Sequence, residues 1–212
     1  QLYVARMTEH LERCAIRPPA TLLEAGCQAG RLVIPLAKLG YQVTGIDASS
    51  YALRRAREHA KAAGVNADFV RGDLVRVLQD QPQRRYDVVV CAEVVYLSRQ
   101  YAQMMRALAG AVRPGGLLFV SHRPKFYYLL EALRRHDVET AAHVLQHREG
   151  PFLGSSYYNW QTVAELRSLY ESLGLRWVAI HPIDRLAWLS GINPEQLTGP
   201  QRKQLCGFEL QL

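Results

Sequence analysis

Over roughly the first 150 residues, short apolar blocks alternate with segments of helical periodicity. Leu22-Leu23 with Ala25 ends at Gly26, as a buried strand does, and residues 31–39 then predict a short helix closed by Gly40. Tyr41 to Ile46 predicts a second strand, residues 50–63 a polar-faced helix closed by Gly64, and Ala67 to Val70 a third strand. Tyr86 to Ala92 is nearly all apolar, which suits a strand buried on both faces. Gln100 to Val112 predicts a helix ended by Arg113-Pro114-Gly115-Gly116, followed by a fifth strand at Leu117 to Ser121. Repeated β-α units of this kind predict a doubly wound, parallel α/β sheet with helices on both faces.

The rhythm changes after Arg123. Residues 124–149 carry helical pieces rich in Arg and His, and residues 150–160 (GPFLGSSYYNW) read as an ordered aromatic loop. Residues 161–173 predict a helix capped by Gly174, Leu175 to Ile180 a sixth strand, and Cys206 to Leu212 a final edge strand. Residues 182–205, with three prolines, read as loop with a short helix. No repeat, low-complexity tract or linker interrupts the chain, so residues 1–212 are expected to be a single domain with insertions at 124–160 and 182–205.

Composition narrows the class. The chain has 212 residues, 49% hydrophobic and 21% charged, enough to bury one large core and too apolar to be disordered. No run approaches the ~20 apolar residues of a membrane-spanning helix, and residues 1–20 lack the apolar core of a signal peptide. The cysteines at 14, 27, 91 and 206 form no CxxC pair and have no His at zinc-ligand spacing. Reduced cysteines, no metal, no membrane partner and a cytoplasmic location are expected. The net charge of +7 comes from arginines dispersed in pairs, not from a dense run. That pattern suits a solvated surface more than a nucleic-acid footprint, so nucleic acid is a possible but not a favoured partner.

Leu22 to Asp47 holds the chemistry: strand, glycine turn, helix, strand, carboxylate. Gly26 and Gly30 let backbone approach a ligand without a Cβ, and the following helix begins with unpaired N–H groups facing the turn. Asp47 closes the second strand, where a carboxylate can accept hydrogen bonds from both hydroxyls of a ribose. The Gly-x-x-x-Gly spacing is neither the dinucleotide fingerprint nor a Walker A loop, so a pyrophosphate ligand is poorly supported.

In these residues the chain resembles the class I, seven-stranded S-adenosylmethionine-dependent methyltransferases. Glu24-Ala25-Gly26-Cys27-Gln28-Ala29-Gly30 matches their acid-x-Gly-x-Gly-x-Gly motif, with Gln28 in place of the middle glycine. Arg71-Gly72-Asp73-Leu74 matches the next acidic motif, Tyr86-Asp87-Val88-Val89-Val90 the fourth strand, and Leu108 through Leu117 the Pro-Gly-Gly turn. The resemblance covers about residues 20–122. It implies seven strands with the last antiparallel, S-adenosylmethionine as cofactor and S-adenosylhomocysteine as product. It further implies a cofactor site of Glu24, Gly26, Cys27, Gln28, Gly30, Asp47, Ala48, Asp73, Leu74 and Glu93, with Asp47 on the ribose and Asp73 on the adenine amino group.

The acceptor side falls to the loops after the fourth and fifth strands and to the insertions. Cys91 to Tyr96 lacks the [DNS]PP[YF] motif of enzymes that methylate exocyclic base amines, so a small-molecule O, N or C nucleophile is the expected acceptor. His122 and Tyr96 are the candidate catalytic residues; for His122 the other reading is a hydrogen-bonded structural histidine. Tyr157, Tyr158 and Trp160 read either as a substrate wall or as a hydrophobic plug. His136, His143 and His147 share helical spacing and read first as a polar helix face. An RNA- or protein-directed methyltransferase and a non-catalytic methyltransferase-like binding module are the alternatives.

Overall fold

The computed structural model describes residues 2–183 and 185–211. The chain divides into two compact units, residues 18–177 and residues 1–17 together with 178–212.

The larger unit is built on five strands: β1 (Thr21–Ala25), β2 (Gln42–Asp47), β3 (Asp68–Arg71), β4 (Tyr86–Cys91) and β5 (Val112–Val120). All neighbours are parallel, in the order β3-β2-β1-β4-β5. The chain winds outward from β1 to β3, then returns to the other side of β1, so the winding direction switches between β1 and β4. A crevice at the carboxyl ends of the strands belongs at that point. β1 and β4 are buried on both faces because each is flanked by two strands and covered above and below, hence their unbroken apolar runs. Leu23, Ala25, Val89 and Cys91 share one face and pack with Met104, Met105 and Leu108.

Helices fill the crossovers. α2 (Val33–Lys38) and α3 (Ser50–Ala62) pack against β2 and β3, while α4 (Leu74–Gln79) and α5 (Tyr101–Ala111) pack together on the Leu23 face. Local capping sets their starts: Ser49 Oγ accepts the Ala52 N–H at the start of α3, and Asp73 Oδ1 accepts the Arg76 N–H at the start of α4. β5 begins with the Pro-Gly-Gly turn, so its pairing with β4 skips from Val112 to Leu117.

Past β5 the chain forms a small cap. α6 (Lys125–Arg134) and α7 (Val138–Gln146) pack on a hairpin of β6 (Glu149–Phe152) and β7 (Ser155–Asn159). Tyr128, Ala132, Ala141, Val144, Phe152 and Trp160 form its own apolar core. The Lys125 N–H donates to the Gln161 carbonyl at 2.8 Å and closes its neck. α8 (Val163–Ser172) then starts from a reciprocal capping box between Thr162 and Glu165.

The smaller unit holds α1 (Leu2–Arg13), α9 (Arg185–Ser190) and α10 (Gly199–Gln211). Within it α1 packs with α10, and the Arg6 guanidinium donates to the Glu209 carbonyl at 3.1 Å. Among the described residues no helix is long and apolar enough to cross a membrane.

Four expectations are corrected. The described residues hold five parallel strands and a separate antiparallel pair, not a seven-stranded sheet. Leu175 to Ile180 is irregular: its alternation is strand-like, but among the described residues no strand pairs with it, and a strand without a partner has no ladder of hydrogen bonds. Residues 206–211 continue α10, whose start is set by Thr198 and Gln201 exchanging side-chain and backbone hydrogen bonds; Leu212 lies outside the described residues. The aromatic stretch 150–160 is largely hairpin rather than loop.

Candidate functional site

The glycine turn lies at the carboxyl end of β1. Gly26 (φ +80) and Gly30 (φ +84) are left-handed, and a Cβ on Gly26 would meet Val94 Cγ2 at 2.4 Å. That contact excludes a side chain at Gly26, and the left-handed backbone favours glycine at both positions. The Gly26 and Cys27 N–H groups both donate to the Ile46 carbonyl, at 2.8 and 3.0 Å, which seats the turn on the end of β2. Cys27 is buried, with its Sγ filling the space beside Gly45, and burial pushes its thiol up to about 12.

Gln28 takes a left-handed conformation (φ +45) in which its side chain is exposed, and its N–H donates to Asp47 Oδ2 at 2.9 Å. The other oxygen, Oδ1, accepts the Ser49 N–H at 2.8 Å across the exposed Ala48. Each carboxylate oxygen keeps a further acceptor position. Asp73 uses one oxygen to cap α4 and is exposed at the end of β3, beside buried Leu74. Glu24, Gly26, Cys27, Gln28, Gly30, Asp47, Ala48, Asp73 and Leu74 thus occupy the carboxyl ends of adjacent strands β1, β2 and β3 and the turns that leave them.

Glu24 is buried beneath this turn, where its carboxyl accepts the Val33 N–H at 2.7 Å. Burial raises its pKa to about 8, against the opposing pull of the Val33 hydrogen bond and Arg31. The folded protein therefore holds a proton that the unfolded chain releases near the ordinary value of 4.5. The stabilisation is complete below about pH 4.5 and is lost as the pH rises through about 8. Melting temperatures measured from about pH 5 to about pH 9 should fall by on the order of 5 °C or more, and Glu24→Gln should flatten that fall.

Glu93 lies one strand further on, directly after β4, and is left-handed without being glycine (φ +61). Its N–H donates to Ser121 Oγ at 2.6 Å, and that hydroxyl donates to Glu93 Oε1 at 3.1 Å. Tyr96 Oη donates to Glu93 Oε2, which also accepts Arg123 Nη2 at 3.2 Å. In this structure Glu93 is engaged with Tyr96, Ser121 and Arg123. The Arg123 guanidinium lies 4.8 Å above the Tyr96 ring and 5.4 Å from that of Tyr127. Burial, reinforced by the Glu93 hydrogen bond, raises the pKa of Tyr96.

Tyr158 of β7 lies 6.3 Å from Tyr96 with the rings within 17° of parallel. Asn159 anchors this arrangement, its amide donating to the Val95 and Ser98 carbonyls at 3.0 and 3.1 Å. Tyr157 is buried, donates to Glu149 Oε2 at 2.7 Å and carries Arg99 over its ring. Trp160 is fully buried in the cap core, with its Nε1–H donating to the His147 carbonyl at 2.8 Å. Of the three aromatic candidates, Tyr158 is the one beside the Glu93 cluster.

His122 points elsewhere. Its Nε2 lies 2.7 Å from Tyr170 Oη of α8, the rings meet edge-on, and Nδ1 is buried without a partner. Burial lowers its pKa to about 4, so the ring is neutral and weakly basic near neutrality. This geometry corresponds to the hydrogen-bonded structural histidine. His136, His143 and His147 do not share one helix, because α6 ends at Arg134 and α7 begins at Val138; His143 and His147 stack at 4.3 Å. Arg55, Arg113, Arg123, Arg135 and Arg148 each pair with a carboxylate, in keeping with a solvated basic surface.

Sequence reasoning did not single out Ser121, Arg123 or Tyr170. Arg123 fell within the stretch assigned to the acceptor side, but nothing local marks its pairing with Glu93, 30 residues away.

A parallel sheet with this strand order, a glycine turn leaving β1 and a carboxylate ending β2 is a doubly wound, Rossmann-like arrangement. Residues 22–116, a little under half of the chain, match the family described as "Methyltransferase domain". Over 101 residues the chain is 41% identical to the ubiquinone biosynthesis O-methyltransferase of Serratia proteamaculans (strain 568), covering 48% of this chain and 42% of that protein. The protein of the same name from Methylobacterium sp. (strain 4-46) is also 41% identical over 101 residues, 48% of this chain and 40% of its own. The match thus spans less than half the length of either relative.

Among solved structures, the magnesium protoporphyrin IX methyltransferase of Synechocystis PCC 6803 with bound S-adenosylhomocysteine superposes with a TM-score of 0.63 at 24% identity, over 81% of this chain and 71% of that one. A S-adenosylmethionine-dependent methyltransferase from Methanosarcina mazei gives 0.61 at 19% identity, over 77% and 82%. At these identities the likeness is one of fold.

Proposed function

We propose that this chain transfers a methyl group from S-adenosylmethionine to an oxygen of a small organic acceptor. The observation that carries the reading is the Asp47 carboxylate, held by the Gln28 and Ser49 N–H groups beside the left-handed glycine turn. A carboxylate oriented in this way retains an acceptor position on each oxygen, which is what a ribose diol requires. Asp73 stands where an adenine amino group can donate to its second oxygen. The names of the relatives favour oxygen as the nucleophile.

The residues fit the cofactor at the one position where the motif departs. Gln28 already occupies the left-handed region with its side chain outward, so the missing glycine does not fill the cradle. Gln28→Gly should change S-adenosylhomocysteine affinity by less than about threefold, since relief of left-handed strain and the added freedom of glycine roughly offset.

Bound S-adenosylmethionine supplies an electrophilic methyl group for in-line displacement by the acceptor. The protein's part is alignment. The turn after β1 and the carboxylates of Asp47 and Asp73 orient the cofactor; Glu93, Tyr96, Arg123 and Tyr158 line the acceptor side; and the cap of residues 125–160 excludes water. In this reading Tyr96, buried with its hydroxyl donating to Glu93, fixes the Glu93 carboxylate on the acceptor side.

Calorimetric titration with S-adenosylmethionine and S-adenosylhomocysteine tests the reading. Micromolar binding of both, roughly −8 kcal/mol, is expected. No binding of either ligand to well-folded protein refutes it.

A further inference from the structure

We infer that Arg123 selects the acceptor by its charge, so that the preferred acceptor is a planar aromatic compound carrying an acidic group. The inference rests on the methyl-transfer reading and deepens it at the acceptor side.

Four features converge on this arginine. Its guanidinium is fixed in position: Tyr96 and Tyr127 lie against it at 4.8 and 5.4 Å. One nitrogen, Nη2, meets Glu93 Oε2 at 3.2 Å, and a guanidinium has five N–H donors, so this single contact leaves others to meet an anion edge-on. The side chain is 39% exposed, open enough to be reached by a small molecule. Tyr158, partly exposed and nearly parallel to the buried Tyr96 ring at 6.3 Å, supplies an aromatic surface beside the charge.

Structural duty accounts poorly for this arrangement. An ion pair whose members are both about one-third exposed contributes little stability, since solvent screens it. Yet Glu93 is held in a left-handed backbone by Ser121, Tyr96 and Arg123 together. Strain of that kind persists where surrounding contacts over-determine it, and it concentrates at ligand sites. Glu93 is thus a positioning residue that aims Tyr96 and Arg123. Arg123 is the group that meets the acceptor, forming charge-assisted, potentially bidentate hydrogen bonds to a carboxylate.

Two probes with the same hydroxyls but different charge isolate this effect: 3,4-dihydroxybenzoate and catechol. Each is titrated calorimetrically into the full chain saturated with S-adenosylhomocysteine. The wild type should bind 3,4-dihydroxybenzoate at least tenfold more tightly than catechol, with a preference that shrinks as salt is added. Arg123→Gln should bring the ratio close to one, and Arg123→Lys should retain part of it, with S-adenosylhomocysteine affinity and melting temperature unchanged in both. A wild-type ratio near one, failure of both probes to bind, or a ratio that survives Arg123→Gln each overturns the inference. A purely structural arginine would instead weaken both probes equally and lower the melting temperature, which also overturns it. Absence of S-adenosylhomocysteine binding refutes the methyl-transfer reading itself; its presence with no charge preference refutes the role of Arg123 alone.

Discussion

Asp47→Ala is expected to weaken S-adenosylhomocysteine binding at least tenfold while leaving the protein folded. The carboxylate ends β2 and makes two hydrogen bonds, from Gln28 N–H at 2.9 Å and Ser49 N–H at 2.8 Å. A ribose bound there adds two more, each to a charged acceptor and so worth about 1.5–3 kcal/mol. Losing both corresponds to at least one hundredfold, and water entering the gap reduces that, hence the lower bound. The substitution also frees the Gln28 N–H and loosens the turn that carries Gly26 and Gly30. Asp47→Asn keeps one acceptor oxygen and should fall between wild type and alanine. Asp47 is only half-buried, so the melting temperature should move little. Unchanged affinity in Asp47→Ala would show that the ligand, if bound, does not use the end of β2.

The second large effect concerns the cap. Trp160→Ala should cost about 3–5 kcal/mol, the range for emptying a buried aromatic site. The indole is fully buried, with Tyr128 at 5.2 Å and Phe152 at 6.3 Å between ring centroids. Its Nε1–H also satisfies the His147 carbonyl, which would be left without that donor. Hydrogen exchange should accelerate across residues 125–160 while β1 and β4, which pack with α4 and α5, stay protected. Acceptor probes should then bind weakly, because Tyr158 no longer stands beside Tyr96, and S-adenosylhomocysteine should bind as before. Uniform loss of protection through the whole unit would instead mean that cap and sheet unfold together.

Much of the larger unit was legible in the chain for a local reason. β1 and β4 lie inside a parallel sheet and are covered on both faces, so each must be an apolar run whatever the distant sequence is. The helices between them are bounded by caps and glycines that act within four residues, as Ser49 and Asp73 do. The cofactor side was equally legible, since Gly26, Gly30 and Asp47 belong to one continuous strand–turn–helix–strand unit.

The acceptor side was legible only as a region. Glu93 and Arg123 meet across 30 residues, and His122 and Tyr170 across 48. His122 follows β5, as a catalytic base would, but its ring turns to α8 and away from Ser121 and Arg123 on either side of it. Neighbouring residues in extended backbone point to opposite sides, and no local signal says which side holds the site.

The sequence by itself determined the β-α alternation, the parallel core and the carboxylates and glycines of the cofactor turn, because their pattern is set by contacts close along the chain. Only the tertiary structure decided the fate of Leu175–Ile180 and residues 206–211, and the joining of Glu93, Tyr96, Arg123 and Tyr158. A strand exists only where it pairs with another strand, and a side-chain cluster only where separate loops converge. Both conditions depend on the assembled fold.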